Sequence, residues 1–199
     1  MPAERPPELA RFLDALKSGL AQVKAGEPRS MLERVFTKLE SCAPPRESGP
    51  EKLPVCEQLA PVLLQLNQPG QALTGLAHSL IELAPELRWS ERPGPAPGAN
   101  DLFHGGHANA MIIGPGGIEN RRDLWIGISL LAPGVRYPDH NHAPPEIYLV
   151  LTPGRFMQGT GNWFSPGTGG SFYNPPGILH AMAAKDAQPL VALWVLDVS

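Results

Sequence analysis

The stretch Gly134–Gly154, GVRYPDHNHAPPEIYLVLTPG, decides the fold. Its second half is β-forming sequence, yet Tyr137, His140, His142, Glu146 and Tyr148 stand where Val and Leu would serve a strand better. His140 and His142 are two apart, so on an extended strand their imidazoles project from one face. Glu146 and Tyr148 repeat that spacing in EIYLVLT. A further histidine, His180, follows the turn NPPGIL. Two or three imidazoles and a carboxylate converging inside a barrel make a mixed nitrogen and oxygen site suited to Fe(II), Mn, Co, Ni or Zn. A coordination position left to water or substrate makes such a site catalytic rather than structural.

Outward from this stretch, residues 96–199 read as mainly β. LWIGISLLA (124–132), EIYLVLT (146–152), SFYN (171–174) and PLVALWVLDV (189–198) are short β-rich runs between turns such as TPGR, SPGTGG and NPPG, which indicates an antiparallel sandwich or barrel. Residues 1–95 read as helical. Leu9, Phe12, Leu13, Leu16, Leu20 and Val23 recur at three- and four-residue spacing, with Gly26 as a stop. A second helix is expected in SMLERVFTKLESC, with Ser30 and Glu33 as a capping box. VCEQLAPVLLQL and ALTGLAHSLIELA suggest two more; His78 in the last reads as a structural or surface residue. SERPGPAPGAND (90–101) reads as a linker or long surface loop. The division expected is therefore a helical N-terminal region, 1–95, packed on a metal-binding domain, 96–199. The helices would form a cap over the barrel mouth or a homodimer contact.

Composition excludes several classes. The 16 Lys and Arg against 19 Asp and Glu, with no basic cluster, leave little to neutralise phosphates and argue against nucleic acid. No apolar run approaches the roughly 20 residues needed to cross a bilayer, so no membrane partner is expected. MPAERPPELARFL lacks the apolar core of a signal peptide, and Cys42 and Cys56 fit a reduced compartment; a cytoplasmic location is the expectation.

Two spacings carry a family resemblance. Gly134, five residues, His140-x-His142, three residues, Glu146 and then Gly154 resemble the first cupin motif, with the final spacing one residue long. Gly169, five residues, Pro175-x-Gly177, two residues and His180 resemble the second, with Ala184 where Asn is often found. Fourteen residues separate the motifs, a short spacer as in small bacterial cupins. The resemblance implies a single C-terminal cupin, a double-stranded β-helix or jelly-roll barrel, behind an α-helical N-terminal region. The pattern Y-x-x-H-x-H-x3-E-x-Y, here Tyr137, His140, His142, Glu146 and Tyr148, further resembles the cupin-type dimethylsulfoniopropionate (DMSP) lyases of the Q type. That resemblance implies one divalent transition metal (Zn, Fe(II), Mn or Co) on His142, Glu146 and His180. It places Tyr148 beside the metal as ligand or general base, and His140 as a ligand or at the substrate. Tyr137 becomes a substrate contact or alternative base.

The implied chemistry, cleavage of DMSP to dimethyl sulfide and acrylate, is a base-catalysed β-elimination from a small substrate. Its sulfonium cation suits aromatic faces. Trp125, Trp163, Phe164, Phe172, Tyr173 and Trp194 are candidates to line the pocket, and Trp163, in the loop GTGNWFSPGTGG, is the preferred substrate contact. His104 and His107 in FHGGHANA read as loop residues with a pocket or lid role as the lesser reading. Two alternatives stay open: another cupin metalloenzyme, an Fe or Mn dioxygenase or an isomerase, and a non-enzymatic small-ligand-binding cupin. Tyr148 weighs against oxygen chemistry, because a phenol beside iron is an oxidisable group that chemistry does not need.

Overall fold

The computed structural model describes residues 4–66 and 72–198. Four helices come first, α1 (Pro7–Gly19), α2 (Glu27–Lys38), α3 (Leu59–Leu64) and α4 (Ala72–Leu83). Eight strands follow, β1 (Trp89–Ser90), β2 (His107–Ile113), β3 (Leu124–Leu131), β4 (Glu146–Val150), β5 (Gly154–Gln158), β6 (Ser171–Asn174), β7 (His180–Ala184) and β8 (Leu190–Asp197). The strands form a six-stranded sheet in the order β1-β2-β3-β8-β4-β6 and a two-stranded sheet β5-β7, all antiparallel.

Side-chain alternation sorts the large sheet into two faces. Ile112 of β2, Ile126 and Ile128 of β3, Ile147 and Leu149 of β4, and Val191, Leu193 and Val195 of β8 share one core with the helices. Tyr148 and Val150 of β4 and Leu190 and Ala192 of β8 turn the other way. They meet Phe156 of β5 and Met182 and Ala184 of β7 in a second core between the sheets. Both faces of the long strands are buried, which is why LWIGISLLA and PLVALWVLDV are nearly unbroken apolar runs.

The helices cover the outer face of the large sheet rather than a barrel mouth. Leu9, Phe12, Leu16, Met31, Val35, Leu76 and Leu80 are fully buried in the shared core. Helix α1 comes so close to β4 that a Cβ on Gly19 would lie 3.0 Å from Leu149 Cδ2. Ion pairs seal the rim of this layer. Arg34 Nε and Lys38 Nζ of α2 reach Asp197 at 2.8 and 2.6 Å, and Arg5 Nε reaches the buried Glu119 at 2.8 Å. Truncating Phe12 to Ala should cost about 3–5 kcal/mol, because its ring is fully buried in the core that helices and sheet share. A urea titration should show the loss as one shifted transition, since both layers share the core.

Two sequence expectations change here. Helix α2 starts at Glu27, a turn before the expected Ser30 cap, with Gly26 at the cap position and Pro28 in the first turn. Proline is pre-set for that position and an acidic residue suits the helix N-terminus, so these two outweigh the capping-box pattern. The segment 90–101 is no free linker either. Pro97 O accepts from Asp139 N (2.8 Å), Asn100 Nδ2 donates to Gly134 O (2.8 Å), and Arg136 N donates to Asn100 Oδ1 (3.0 Å), stitching it to the motif loop. Cys42 and Cys56 are unpaired, the first exposed and the second buried. Among the described residues no helix is long and apolar enough to cross a membrane.

Candidate metal centre

His142, Glu146 and His180 meet between the two sheets, each offering a ligand atom within 4.8 Å of the others. Three different local structures deliver them. Glu146 opens β4, on the inward face with Tyr148. His180 opens β7 after the turn at Gly177, whose φ of 74° is open to glycine without strain. His142 lies in the irregular loop between β3 and β4, which begins with the turn at Gly134, φ 75°. The expected strand carrying His140 and His142 is therefore absent. Pro138, Pro144 and Pro145 break any ladder there, leaving isolated bridges, Arg136 with Ala183 and His140 with His180; in the second His140 N donates to His180 O (3.0 Å) and His180 N to His140 O (2.9 Å). That reciprocal pair joins the two sequence motifs through backbone alone.

The donor set suits a cation. Each imidazole has its Nδ1 on a backbone carbonyl: His140 on Pro138 O at 2.9 Å, His142 on Pro144 O at 2.8 Å, His180 on Ile178 O at 3.0 Å. A carbonyl only accepts, so Nδ1 carries the hydrogen and Nε2 is left with a lone pair. The Nε2 atoms of His142 and His180 are buried and make no hydrogen bond, yet lie 3.4 and 3.3 Å from Glu146 Oε2. Lone pairs directed at a carboxylate repel it unless positive charge lies among them. Glu146 is itself oriented by Asn174 Nδ2, which donates to Oε2 at 2.8 Å, while Gln158 Nε2 donates to Asn174 Oδ1 at 2.6 Å. Outer hydrogen bonds of this kind fix the direction of metal ligands.

Charge follows from the same arrangement. Burial alone would push the Glu146 carboxyl up, but positive charge at the adjoining His142 and His180 imidazoles, a place a bound cation would take, outweighs it and holds the group down at about 2. Burial and the neighbouring His180 push His140 down to about 4, so it is neutral near pH 7. It packs on His180 with ring centroids 4.0 Å apart but stands outside the group of three.

A cavity of about 510 Å³ opens onto the group, lined by Tyr137, His140, His142, Glu146 and Tyr148. Tyr148 stacks on Phe172 at 5.1 Å. Burial, then the negative Glu146 beside it, push its phenol well above the ordinary value. Burial raises Tyr137 to about 12, against the pull of a hydrogen bond donated by Asn109 Nδ2 at 3.0 Å. Of the other aromatic candidates, Trp125 and Trp194 line the cavity and Trp163 does not. The Trp163 ring lies under the guanidinium groups of Arg136 (5.5 Å) and Arg155 (5.8 Å), so its face is already occupied by cations of the chain itself. Phe164 packs on Phe156 and Phe172, and Tyr173 turns to the helical core.

His107 also differs from its expectation. It is the first residue of β2, fully buried and stacked on Phe103 at 3.8 Å. Its Nδ1 meets Phe103 O (2.6 Å) and its Nε2 accepts from Arg92 N (2.8 Å). With Glu91, Arg92 and Pro93 on the cavity rim, His107 braces the wall of the site rather than acting as a loop or lid residue. His104 is exposed in the preceding turn, and His78 is exposed on α4.

A two-sheet β barrel holding a buried His/Glu group between its sheets, with a helical layer outside, is a cupin with a helical N-terminal region. Residues 27–192 match the model of the dimethylsulfoniopropionate lyase family, and the chain belongs to that family. A relative described as a DMSP lyase, DddL of Cereibacter sphaeroides, is 29% identical over 145 residues. That match takes in 73% of this chain and 60% of the relative, so the chain spans less than two thirds of its length. In fold, the chain is similar to DMSP lyase DddQ of Ruegeria pomeroyi, at TM-score 0.69 and 19% identity over 97% of this chain and 92% of that one. A chain from the crystal structures of the DMSP lyases RdDddP and RnDddQII matches at TM-score 0.69 and 18% identity, over 96% and 92%.

Proposed function

We propose that this protein is a metal-dependent lyase that cleaves DMSP to dimethyl sulfide and acrylate by β-elimination, with a tyrosine as general base. The observation that carries the reading is the meeting of His142, Glu146 and His180, the first two of which line one cavity with two phenols. Family membership supports the same substrate.

His142, Glu146 and His180 would hold the ion, and His140, neutral and outside the trio, would border the substrate. A divalent cation bound there supplies Lewis acidity to the substrate carboxylate and lowers the pKa of phenols nearby. The chain's own groups do the rest. Tyr137 is the better base of the two phenols, because its oxygen already accepts a hydrogen bond, whereas Tyr148 faces the Glu146 carboxylate, whose charge opposes ionisation. Tyr137, ionised to phenolate, takes the proton from the carbon α to the carboxylate and becomes a neutral phenol. The C–H electron pair becomes the new C=C bond, the C–S bond breaks, and its electrons leave with neutral dimethyl sulfide. Trp125 and Trp194, on the cavity wall, offer faces to the sulfonium before it departs. A homodimer, with the helical layer as contact, remains part of the proposal.

Purified protein given DMSP should release dimethyl sulfide into the headspace. Treatment with a chelator should abolish release, and a divalent transition metal should restore it. Metal-loaded protein that yields no sulfide would defeat the reading.

A further inference from the structure

A line of hydrogen bonds ends on Tyr137. Trp194 Nε1 donates to Ser129 Oγ (3.1 Å), Ser129 Oγ donates to Asn109 Oδ1 (2.6 Å), and Asn109 Nδ2 donates to the Tyr137 hydroxyl oxygen (3.0 Å). The three supporting residues come from adjacent strands. Asn109 of β2 stands directly opposite Ser129 of β3, and Trp194 of β8 stands opposite Gly127, two residues before Ser129. A Cβ at Gly127 would lie 2.1 Å from Trp194 Cζ2, so the indole reaches Ser129 only by lying over that bare backbone.

The direction of the line follows from its far end. An indole N–H can only donate. Ser129 Oγ accepts it, and its one hydrogen then goes to Asn109 Oδ1, which turns the amide nitrogen toward Tyr137. The reverse amide orientation would aim a second donor at Ser129 Oγ and take away the acceptor for its hydroxyl hydrogen. Ser129 is only 2% exposed, and a polar group buried without a partner is costly. Packing alone would favour Val or Leu at these inward positions, as at Leu131 and Leu190 nearby.

The geometry points to Asn109 and Ser129 as positioning residues that hold the Tyr137 oxygen as a hydrogen-bond acceptor, with Trp194 setting the direction of the line. This inference rests on Tyr137 as the base of the lyase reaction. A hydrogen bond to an ionised acceptor is stronger than one to a neutral group, so a fixed donor gains strength as the phenol loses its proton. The same donor occupies one lone pair of the phenol oxygen, so the phenol hydrogen is directed away from Asn109.

Three variants test this. Asn109→Leu keeps the bulk and removes the donor, Ser129→Ala breaks the line one step back, and Ser129→Thr keeps a hydroxyl. In Asn109→Leu, kcat for DMSP should fall about 10- to 100-fold, with KM changed less than about twofold. The isotope effect with substrate deuterated at the α carbon should rise, because proton removal becomes slower relative to later steps. Ser129→Ala should show a smaller loss of the same kind, and Ser129→Thr should restore it. The ¹³C resonance of Tyr137 Cζ, assigned by its disappearance in Tyr137→Phe, should move in Asn109→Leu and Ser129→Ala and not in Ser129→Thr. That resonance is read without substrate. It therefore decides the hydrogen-bond line even where the parent protein releases no sulfide, a result that would instead sink the lyase reading. An unmoved Cζ resonance, or wild-type kcat in Asn109→Leu, would overturn the inference.

Discussion

His180→Ala should leave a folded protein that binds no stoichiometric metal and releases at least about 10³-fold less dimethyl sulfide. The size follows from the several kcal/mol that a Lewis acid contributes to an elimination of this kind. The fold should survive because the bridge that anchors this point is made by backbone atoms, His140 N to His180 O and back, which the substitution leaves in place. What is lost is the Nε2 that faces Glu146 at 3.3 Å. Two ligands then remain, too few to hold an ion against water and buffer. Elemental analysis beside circular dichroism separates this outcome from unfolding. A variant with native metal content would exclude His180 from the ligand set.

Tyr137→Phe should lower kcat by about 10²- to 10⁴-fold, the range expected when a positioned general base is removed. Metal content should stay at the parent level, since the Tyr137 oxygen is engaged with Asn109 and lies outside the His/Glu group. Tyr148→Phe makes the contrast. Its phenol stands beside Glu146, so its loss should reduce metal content in part and lower turnover in the same proportion. Elemental analysis of both variants, with kcat expressed per bound metal, distinguishes the two roles. If turnover per metal is normal in Tyr137→Phe and absent in Tyr148→Phe, the base is Tyr148.

Much of this was legible in the sequence because cupin ligands travel in short, rigidly spaced motifs. His142 and Glu146 lie four residues apart, and His180 follows its own Gly/Pro turn; spacing also offered His140 and Tyr148, and the family resemblance singled out the three that the structure brings together. The strands β3, β4, β6 and β8 were equally readable, being apolar runs between strong turns. β2, β5 and β7 were not. β2 carries His107, Asn109 and Met111 on its inward face, and β5 and β7 mix Gly, Ala, Arg and Gln. Polar or small residues on one face erase the β signal when the strand walls a polar cavity. The supports of the site were invisible for a related reason. Asn174, Gln158, Asn109 and Ser129 are common polar residues with no fixed spacing from what they hold, and only the register of neighbouring strands brings them into line. The partners of the loop residue Trp163 were hidden too, since Arg136 and Arg155 come over its ring from outside that loop.

The backbone bridge at His140 and His180, with an imidazole Nδ1 tied to a carbonyl at each of three histidines, means that the coordination cage is assembled by the polypeptide before any ion arrives. Such a protein should fold stripped of its ion, unlike a zinc finger, whose folding energy comes from its metal, while a bound ion still raises its melting temperature by mass action. Ions could then be swapped in the native state, and the occupant in a growing cell would be set by supply rather than by refolding.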